Sequence, residues 1–189
     1  NKKKALIYIP STIIVIALPL ATFIPASPIS NSMISLQNNA YALNLNIWNY
    51  FDSEEVSFIE KAKSFIPDNA VIINQPYDGS MYAYGISGIH LYYRDIAGYG
   101  SANESSESKL IREKLDKISV DSEVQAAVKS ISASYVLLLK PNYVEEGLYY
   151  STYQPDLWTG INSISENTPG FSLVYEENSM KLYRITEGQ

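Results

Sequence analysis

From Ala5 to Phe51 the chain carries no charged residue, and this stretch divides it into two parts of different physics. Residues 5–24 form an apolar run preceded directly by Lys2, Lys3 and Lys4. As a helix rising 1.5 Å per residue, this run spans about 30 Å, the thickness of a bilayer core. The next charge after the lysines is Asp52. An excess of lysine on one flank places that flank inside the cell, so residues 1–4 are expected in the cytoplasm and residues 31–189 outside. Pro10 and Pro19 would break a soluble helix, but membrane helices tolerate proline. A secretory signal peptide and a buried soluble helix are the alternatives. The run is longer than a usual signal core, and the small-residue pattern Ala40-Tyr41-Ala42 lies far downstream. The chain begins without methionine, and the expectation is the last span and outer domain of a longer protein.

The rest of the composition narrows the chemistry. There is no cysteine, which excludes disulfides, thiolate nucleophiles and thiolate metal sites. His90 is the only histidine, so a histidine-based zinc cluster is excluded; no metal or cofactor is expected. Beyond the three amino-terminal lysines the chain holds 20 acidic against 11 basic residues, a net charge of −9. Such a domain repels nucleic acid and anionic headgroups, so no nucleic-acid partner is expected. The 16 tyrosines suit a binding surface, although composition alone explains them equally well.

Along the chain, residues 1–26 read as a transmembrane helix with cytoplasmic lysines. Residues 27–46, rich in Ser, Asn and Pro, read as a juxtamembrane linker, and 47–189 as an extracellular α/β domain. Asp52 followed by Glu55 is a capping box, with Phe51 and Val56 as its staple. Val56, Ile59, Ala62, Phe65 and Ile66 recur at helical spacing until Pro67. Residues 70–73 then read as a strand, 74–79 as a turn, and Ser80 as the cap of a helix ending at Gly88. Residues 89–93 complete a βαβ unit. Leu110, Ile111, Leu115 and Ile118 mark a helix, and Asp121 caps another. The apolar segment 134–139 reads as a central strand buried on both faces. Residues 143–164 are aromatic-rich, with Tyr149, Tyr150, Tyr153 and Trp158. Residues 171–175 and 180–185 form a hairpin. The expected fold is a small three-layer, Rossmann-like α/β domain. Its sheet has four or five mostly parallel strands and a carboxy-terminal hairpin, and one transmembrane helix precedes it.

In such domains ligands sit at the carboxyl ends of strands. The candidate binding residues are therefore Asn74, Tyr77, Asp78, Gly79 and Ser80, with Arg94 and Asp95 after the second strand. Asp78 would accept a ligand hydroxyl beside the amino terminus of the helix. Tyr77, Tyr82 or Tyr99 would supply aromatic platforms. The same residues also suit a plain turn, with Gly79 at positive φ and Asp78 or Ser80 capping. The loop lacks the glycine spacing and lysine of a phosphate loop. The Glu145-Glu146 and Glu176-Glu177 pairs read as solvated rather than catalytic, and a self-contained hydrolase, which needs two opposed carboxylates, is a third alternative.

The order of several stretches resembles an uncharacterised family of bacterial polytopic membrane proteins. They are Ile66-Pro67-Asp68, the run 73–80, Tyr82-Ala83-Tyr84, the helix 121–131, Ser134-Tyr135-Val136-Leu137-Leu138, and the ending Pro169-Gly170-Phe171 with Leu182-Tyr183-Arg184-Ile185. Members of that family look like type-C membrane glycosyltransferases, with many spans and one extracellular carboxy-terminal domain. In such enzymes the catalytic acid lies in an early outer loop. No catalytic residue is therefore assigned in this chain, although a full-length protein of this kind could be a glycosyltransferase. The resemblance implies a noncatalytic accessory domain at the cell membrane that binds or positions a cell-envelope saccharide. A structural or protein-interaction ectodomain without a ligand is the alternative. Reporter fusions after Gln189 are expected to be active outside the cell; activity in the cytoplasm would reverse the orientation.

Overall fold

In a computed structural model of the chain, residues 51–140 and 153–187 are described. The expected span 5–24, the linker 27–46, Tyr149, Tyr150 and the Glu145-Glu146 pair lie outside the described residues. Among the described residues, no helix is long and apolar enough to cross a membrane.

Helix α1 (Ser53–Lys63) opens on the capping box expected from its sequence. The Asp52 carboxylate accepts the N–H groups of Glu54 and Glu55 at 2.8 and 3.0 Å, and the Glu55 carboxylate accepts the Asp52 N–H at 2.7 Å. Two helix-end donors are satisfied in this way, and the cap residue is fixed in turn. Strand β1 (Val71–Asn74) follows, then two short 3₁₀ turns, the single-turn helix α2 (Ala83–Ser87) and strand β2 (His90–Leu91). Helices α3 (Ser106–Lys114) and α4 (Ser122–Ser130) are capped by Ser105 and Asp121. Strand β3 (Ala133–Leu138), the short helix α5 (Thr159–Asn162) and strands β4 (Phe171–Glu177) and β5 (Met180–Ile185) complete the domain.

The five strands lie in the order β2-β1-β3-β5-β4. β1 pairs in parallel with β2 and β3, whereas β5 pairs antiparallel with β3 and β4. The sheet is thus mixed, which corrects the expectation of a mostly parallel one. The carboxy-terminal hairpin forms one side of the sheet, with β4 at its edge. β5 docks against the central strand β3, and this brings an antiparallel pairing into the middle of the sheet. The hairpin loop is two residues long, with Asn178 and Ser179 at φ 49° and 68°. Positive φ at both positions gives the turn whose twist matches that of the strands.

Strand alternation builds one core on each face. Ile72, Leu91, Tyr135, Leu137 and Leu182 point to one side and pack with Phe58, Ile59 and Ala62 of α1 and Ala83 of α2. Ile73, Val136, Tyr183 and Ile185 point to the other and pack with Ile111, Val124, Val128 and Ile161 of α3, α4 and α5. The domain therefore has three layers, helices–sheet–helices. Two local readings change. The β2 ladder is two residues long, not five, because after Leu91 the chain turns away. Ser80 caps no helix; it starts a 3₁₀ turn, and its hydroxyl is spent inside the loop before α2.

A second interior joint lies on the α3 face. Arg112 is wholly buried and pairs with Glu104 at 2.6 Å, donates to the Leu157 carbonyl, and lies 6.0 Å from the Trp158 ring centroid. Tyr77, Tyr93 and Tyr99 set their rings against Trp158 at 5.0–5.8 Å, two of them edge-on to one another. Gly160 closes the joint: a Cβ there would stand 2.3 Å from the Lys114 backbone nitrogen, so α5 reaches α3 only with glycine.

β3 is central and its core positions are filled, but Leu138 is half-buried, while Leu137 is fully enclosed. Leu137→Ala is expected to cost about 2–5 kcal/mol through lost transfer energy and the cavity left behind. Urea unfolding measures this, and a loss below about 1 kcal/mol would mean the strand is not the core of the sheet.

Candidate functional site

After β1 the chain runs to α2 on the α1 face; beyond β3 it reaches α5 on the opposite face. The crevice between the carboxyl ends of β1 and β3 is therefore the switch point where open α/β sheets place ligands. Here protein groups occupy it. Asp78 is 2% exposed, and its Oδ1 accepts the Ser80 N–H at 2.8 Å while its Oδ2 accepts the Leu139 N–H at 2.7 Å. One carboxylate thus joins the loop after β1 to the residue after β3. Gly79 makes this possible with φ 90°, a left-handed turn that lets the chain fold back over the Asp78 side chain.

The neighbouring residues extend the lock. Asn74 is buried, donates to the Ser80 hydroxyl at 2.9 Å, and accepts the Tyr93 N–H at 3.1 Å. The Ser80 hydroxyl donates to the Gln75 carbonyl at 2.9 Å. The Gln75 amide reaches Asn162 of α5 at 3.0 Å, and Asn162 donates to the Tyr153 hydroxyl at 2.9 Å. Tyr77 is buried against Tyr153 and Trp158, and its hydroxyl donates to the Ile96 carbonyl at 2.9 Å. Asn74, Tyr77, Asp78, Gly79 and Ser80 are thus brought together as sequence reasoning expected, but around one another.

Glu55 is the residue that sequence reasoning read only as a capping partner. It is 0% exposed. Burial pushes its carboxyl up to about 7 against the hydrogen bond from Asp52, and the charges of Asp52 and Asp78 add to the rise. Burial likewise pushes Asp78 up to about 7, against the bonds from Ser80 and Leu139 that favour its charged form. On the outer side, Lys140 pairs with Asp52 at 3.2 Å and with Glu54. The signal in the sequence was present: a capping-box glutamate points back across its own helix start, and here that start abuts the loop.

Arg94 and Asp95 lie at the surface. They take separate partners: Arg94 Nε donates to the Leu91 carbonyl at 3.0 Å, and the Asp95 carboxylate accepts the Ala97 N–H at 3.0 Å. Arg94 borders an open cleft of about 360 Å³ with Met81, Tyr84, His90 and Leu91, along the β2 edge of the sheet. Tyr84 is 62% exposed and meets the His90 ring edge-on at 6.0 Å. Tyr82 is also exposed, whereas Tyr77 and half-buried Tyr99 serve the interior joint around Trp158. Among the described residues no group of His, Asp and Glu is arranged to hold a metal ion.

With this geometry in view, residues 3–187 match the sequence model of a family of unknown function (DUF6541). The chain belongs to that family. No curated protein matches it. Among solved structures it is similar to the C-terminal globular domain of an oligosaccharyltransferase from Archaeoglobus fulgidus. That likeness has 10% identity and a TM-score of 0.44, over 71% of this chain and 98% of that one.

For this DUF6541 member the buried carboxylates set a pH dependence. Both are held above their ordinary range in the folded state, so the folded chain binds protons more tightly than the unfolded one. The stability this contributes is complete below the ordinary carboxylate range and is lost as pH rises through about 7. Urea unfolding is expected to show lower stability at pH 8.5 than at pH 5.5, by on the order of a few kcal/mol. Glu55→Gln should reduce the difference and leave the part that Asp78 contributes. Equal stability at both values would mean that these groups stay ionised in the folded chain without cost.

Proposed function

We propose that this domain is a noncatalytic extracellular accessory domain of a membrane glycosyltransferase-like protein, binding or positioning a cell-envelope saccharide. The membrane setting rests on the lysine-flanked apolar run 5–24, and the glycosyltransferase-like setting on the shared order of sequence motifs. The observation that carries the binding reading is the β2-edge cleft. Exposed Tyr84 offers a ring face to the C–H side of a sugar, and His90 and Arg94 stand beside it with hydrogen-bonding groups. The loop of Asn74, Asp78 and Ser80 is the frame that fixes this edge, since Asn74 holds the Tyr93 N–H just beyond β2. In this reading Tyr77 and Gly79 belong to the supporting loop, Asp95 follows Arg94 in sequence, and the saccharide meets the outer Tyr84. A neutral or weakly charged saccharide suits a chain whose net charge is −6. The carboxylates of Glu55 and Asp78 accept backbone N–H groups, which favours holding structure over turning over a substrate.

The second reading, an interaction ectodomain without a small ligand, draws on the opposite edge of the sheet. There β4 is terminal, Leu173 is exposed, and exposed Phe65 stacks on Tyr175 at 5.3 Å. The two readings separate in one titration. The detergent-solubilised chain, titrated calorimetrically with envelope oligosaccharides, is expected to bind them. Tyr84→Ala should weaken that binding by about 0.5–1.5 kcal/mol, the scale of one aromatic contact, and leave the unfolding curve unchanged. Absence of binding at millimolar saccharide favours the interaction ectodomain.

A further inference from the structure

The amino-terminal ends of β1 and β3 carry a second cleft, of about 520 Å³, lined in part by Asn69, Ser132, Ser134, Tyr135 and Arg184. Its character is set by Arg184. Along β5, Met180, Leu182 and Arg184 share one face by strand alternation. Met180 and Leu182 are buried in the α1–α2 core. Arg184 takes the next place on that face, where the helical cover has ended, and is exposed. Opposite it in the ladder is Tyr135, and the guanidinium carbon lies 5.7 Å from the Tyr135 ring centroid. At that distance the ring attracts the guanidinium by a cation–π contact, and Arg184 lines the cleft.

The guanidinium N–H groups are uncommitted. The chain has three arginines. Arg112 is spent on Glu104 and the Leu157 carbonyl, and Arg94 on the Leu91 carbonyl. Among the described residues, Arg184 makes neither a hydrogen bond nor an ion pair with the protein. This holds in a chain with 20 acidic side chains against 14 basic ones, where a carboxylate partner would be easy to supply. Asp68, between the cleft residues Pro67 and Asn69 in sequence, pairs with Lys63 at 2.9 Å. Around the cleft stand the hydroxyls of Ser132 and Ser134 and the amide of Asn69, all short polar groups. Ser132 holds φ 55°, a left-handed conformation that glycine would adopt without strain. A serine there keeps a hydroxyl at the cleft at the expense of the backbone.

We propose that this cleft binds an oxyanion group, carboxylate or phosphoryl, carried on a small polyhydroxylated molecule. The Arg184 fork takes two oxyanion atoms, as guanidinium does with both groups. Ser132, Ser134 and Asn69 take hydroxyls of the scaffold. The site is separate from the β2-edge cleft, and it stands or falls independently of the saccharide reading given to that edge.

The test uses the full chain in detergent micelles, titrated calorimetrically with glucuronate, with glucose 1-phosphate, and with glucose as the uncharged control. At least one of the two anions is expected to bind at least tenfold more tightly than glucose, and to weaken with added salt. Preference for glucuronate identifies a carboxylate ligand; preference for glucose 1-phosphate identifies a phosphoryl ligand. Arg184→Gln should weaken the preferred anion roughly tenfold or more, the scale of a lost charged hydrogen bond. Arg184→Lys should fall between, because it keeps the charge and loses the fork. Arg184 is exposed, and circular dichroism of both variants should match the parent. Ser132→Gly supplies a variant that relieves backbone strain, and it too should weaken anion binding. Tyr84→Ala should leave anion binding unchanged. Anions that bind no better than glucose would overturn the proposal, and so would binding that Arg184→Gln leaves intact or that Tyr84→Ala abolishes.

Discussion

The two N–H groups that end on the Asp78 carboxylate hold the switch-point side of this domain together. Without them the residues after β1 and after β3 would leave the sheet as independent loops, and two backbone donors would lie buried without partners. A buried unpaired N–H costs on the order of 1–3 kcal/mol, so the carboxylate removes a penalty twice and sets the spacing of two strands. Its own burial is the opposing cost, and that cost is visible in the raised carboxyl groups of Asp78 and Glu55. The lock is therefore strong in geometry and sensitive in protonation.

The same device recurs on the other face with the charges reversed. There a buried arginine, Arg112, draws the loop at Glu104 and the segment at Leu157 and Trp158 onto α3. Both joints use one charged side chain to bind two segments far apart in sequence. Both sit beside short or irregular elements: the single-turn α2 and two-residue β2 in one case, the single-turn α5 in the other. Elements of that length have too few hydrogen bonds to persist alone, and tertiary contacts supply what propensity does not. The domain is regular where α1, α3, α4 and β3–β5 carry it, and bolted by polar side chains where they do not.

This division explains why candidate ligand contacts fall outside the crevice. A crevice spanned by Asp78 already satisfies its donors, while the β2 edge keeps exposed Arg94 and Tyr84, and the amino ends of β1 and β3 keep exposed Arg184 beside buried Tyr135. Rigid strand ends are good platforms for such groups, because the backbone that carries them is fixed from within. The tyrosines sort by the same logic: Tyr77 and Tyr93 are interior struts with bonded hydroxyls, whereas Tyr82 and Tyr84 are left to solvent.

Much of the architecture was legible because its signals are local. Asp52 with Glu55, Ser105 and Asp121 announce helix starts, the apolar run at 134–139 announces the central strand, and Asn178-Ser179 announces the hairpin. Those features depend on residues a few positions apart. The loop 74–80 was legible as a turn gathered around Asp78 and Gly79, because a left-handed glycine and a short carboxylate act within their own neighbourhood. The direction of the Asp78 carboxylate was not legible, since its second partner is Leu139, 61 positions away. The place of the hairpin beside β3, the burial of Glu55 and the free guanidinium of Arg184 over Tyr135 are of the same kind. By itself the sequence determined the capped helices α1, α3 and α4, the strands β1 and β3–β5 and the turns at Gly79 and Asn178-Ser179, because residues close in sequence decide those. Only the tertiary structure decided which charges are buried and which face solvent. That outcome depends on what the packed sheet brings against each side chain, and no local pattern records it.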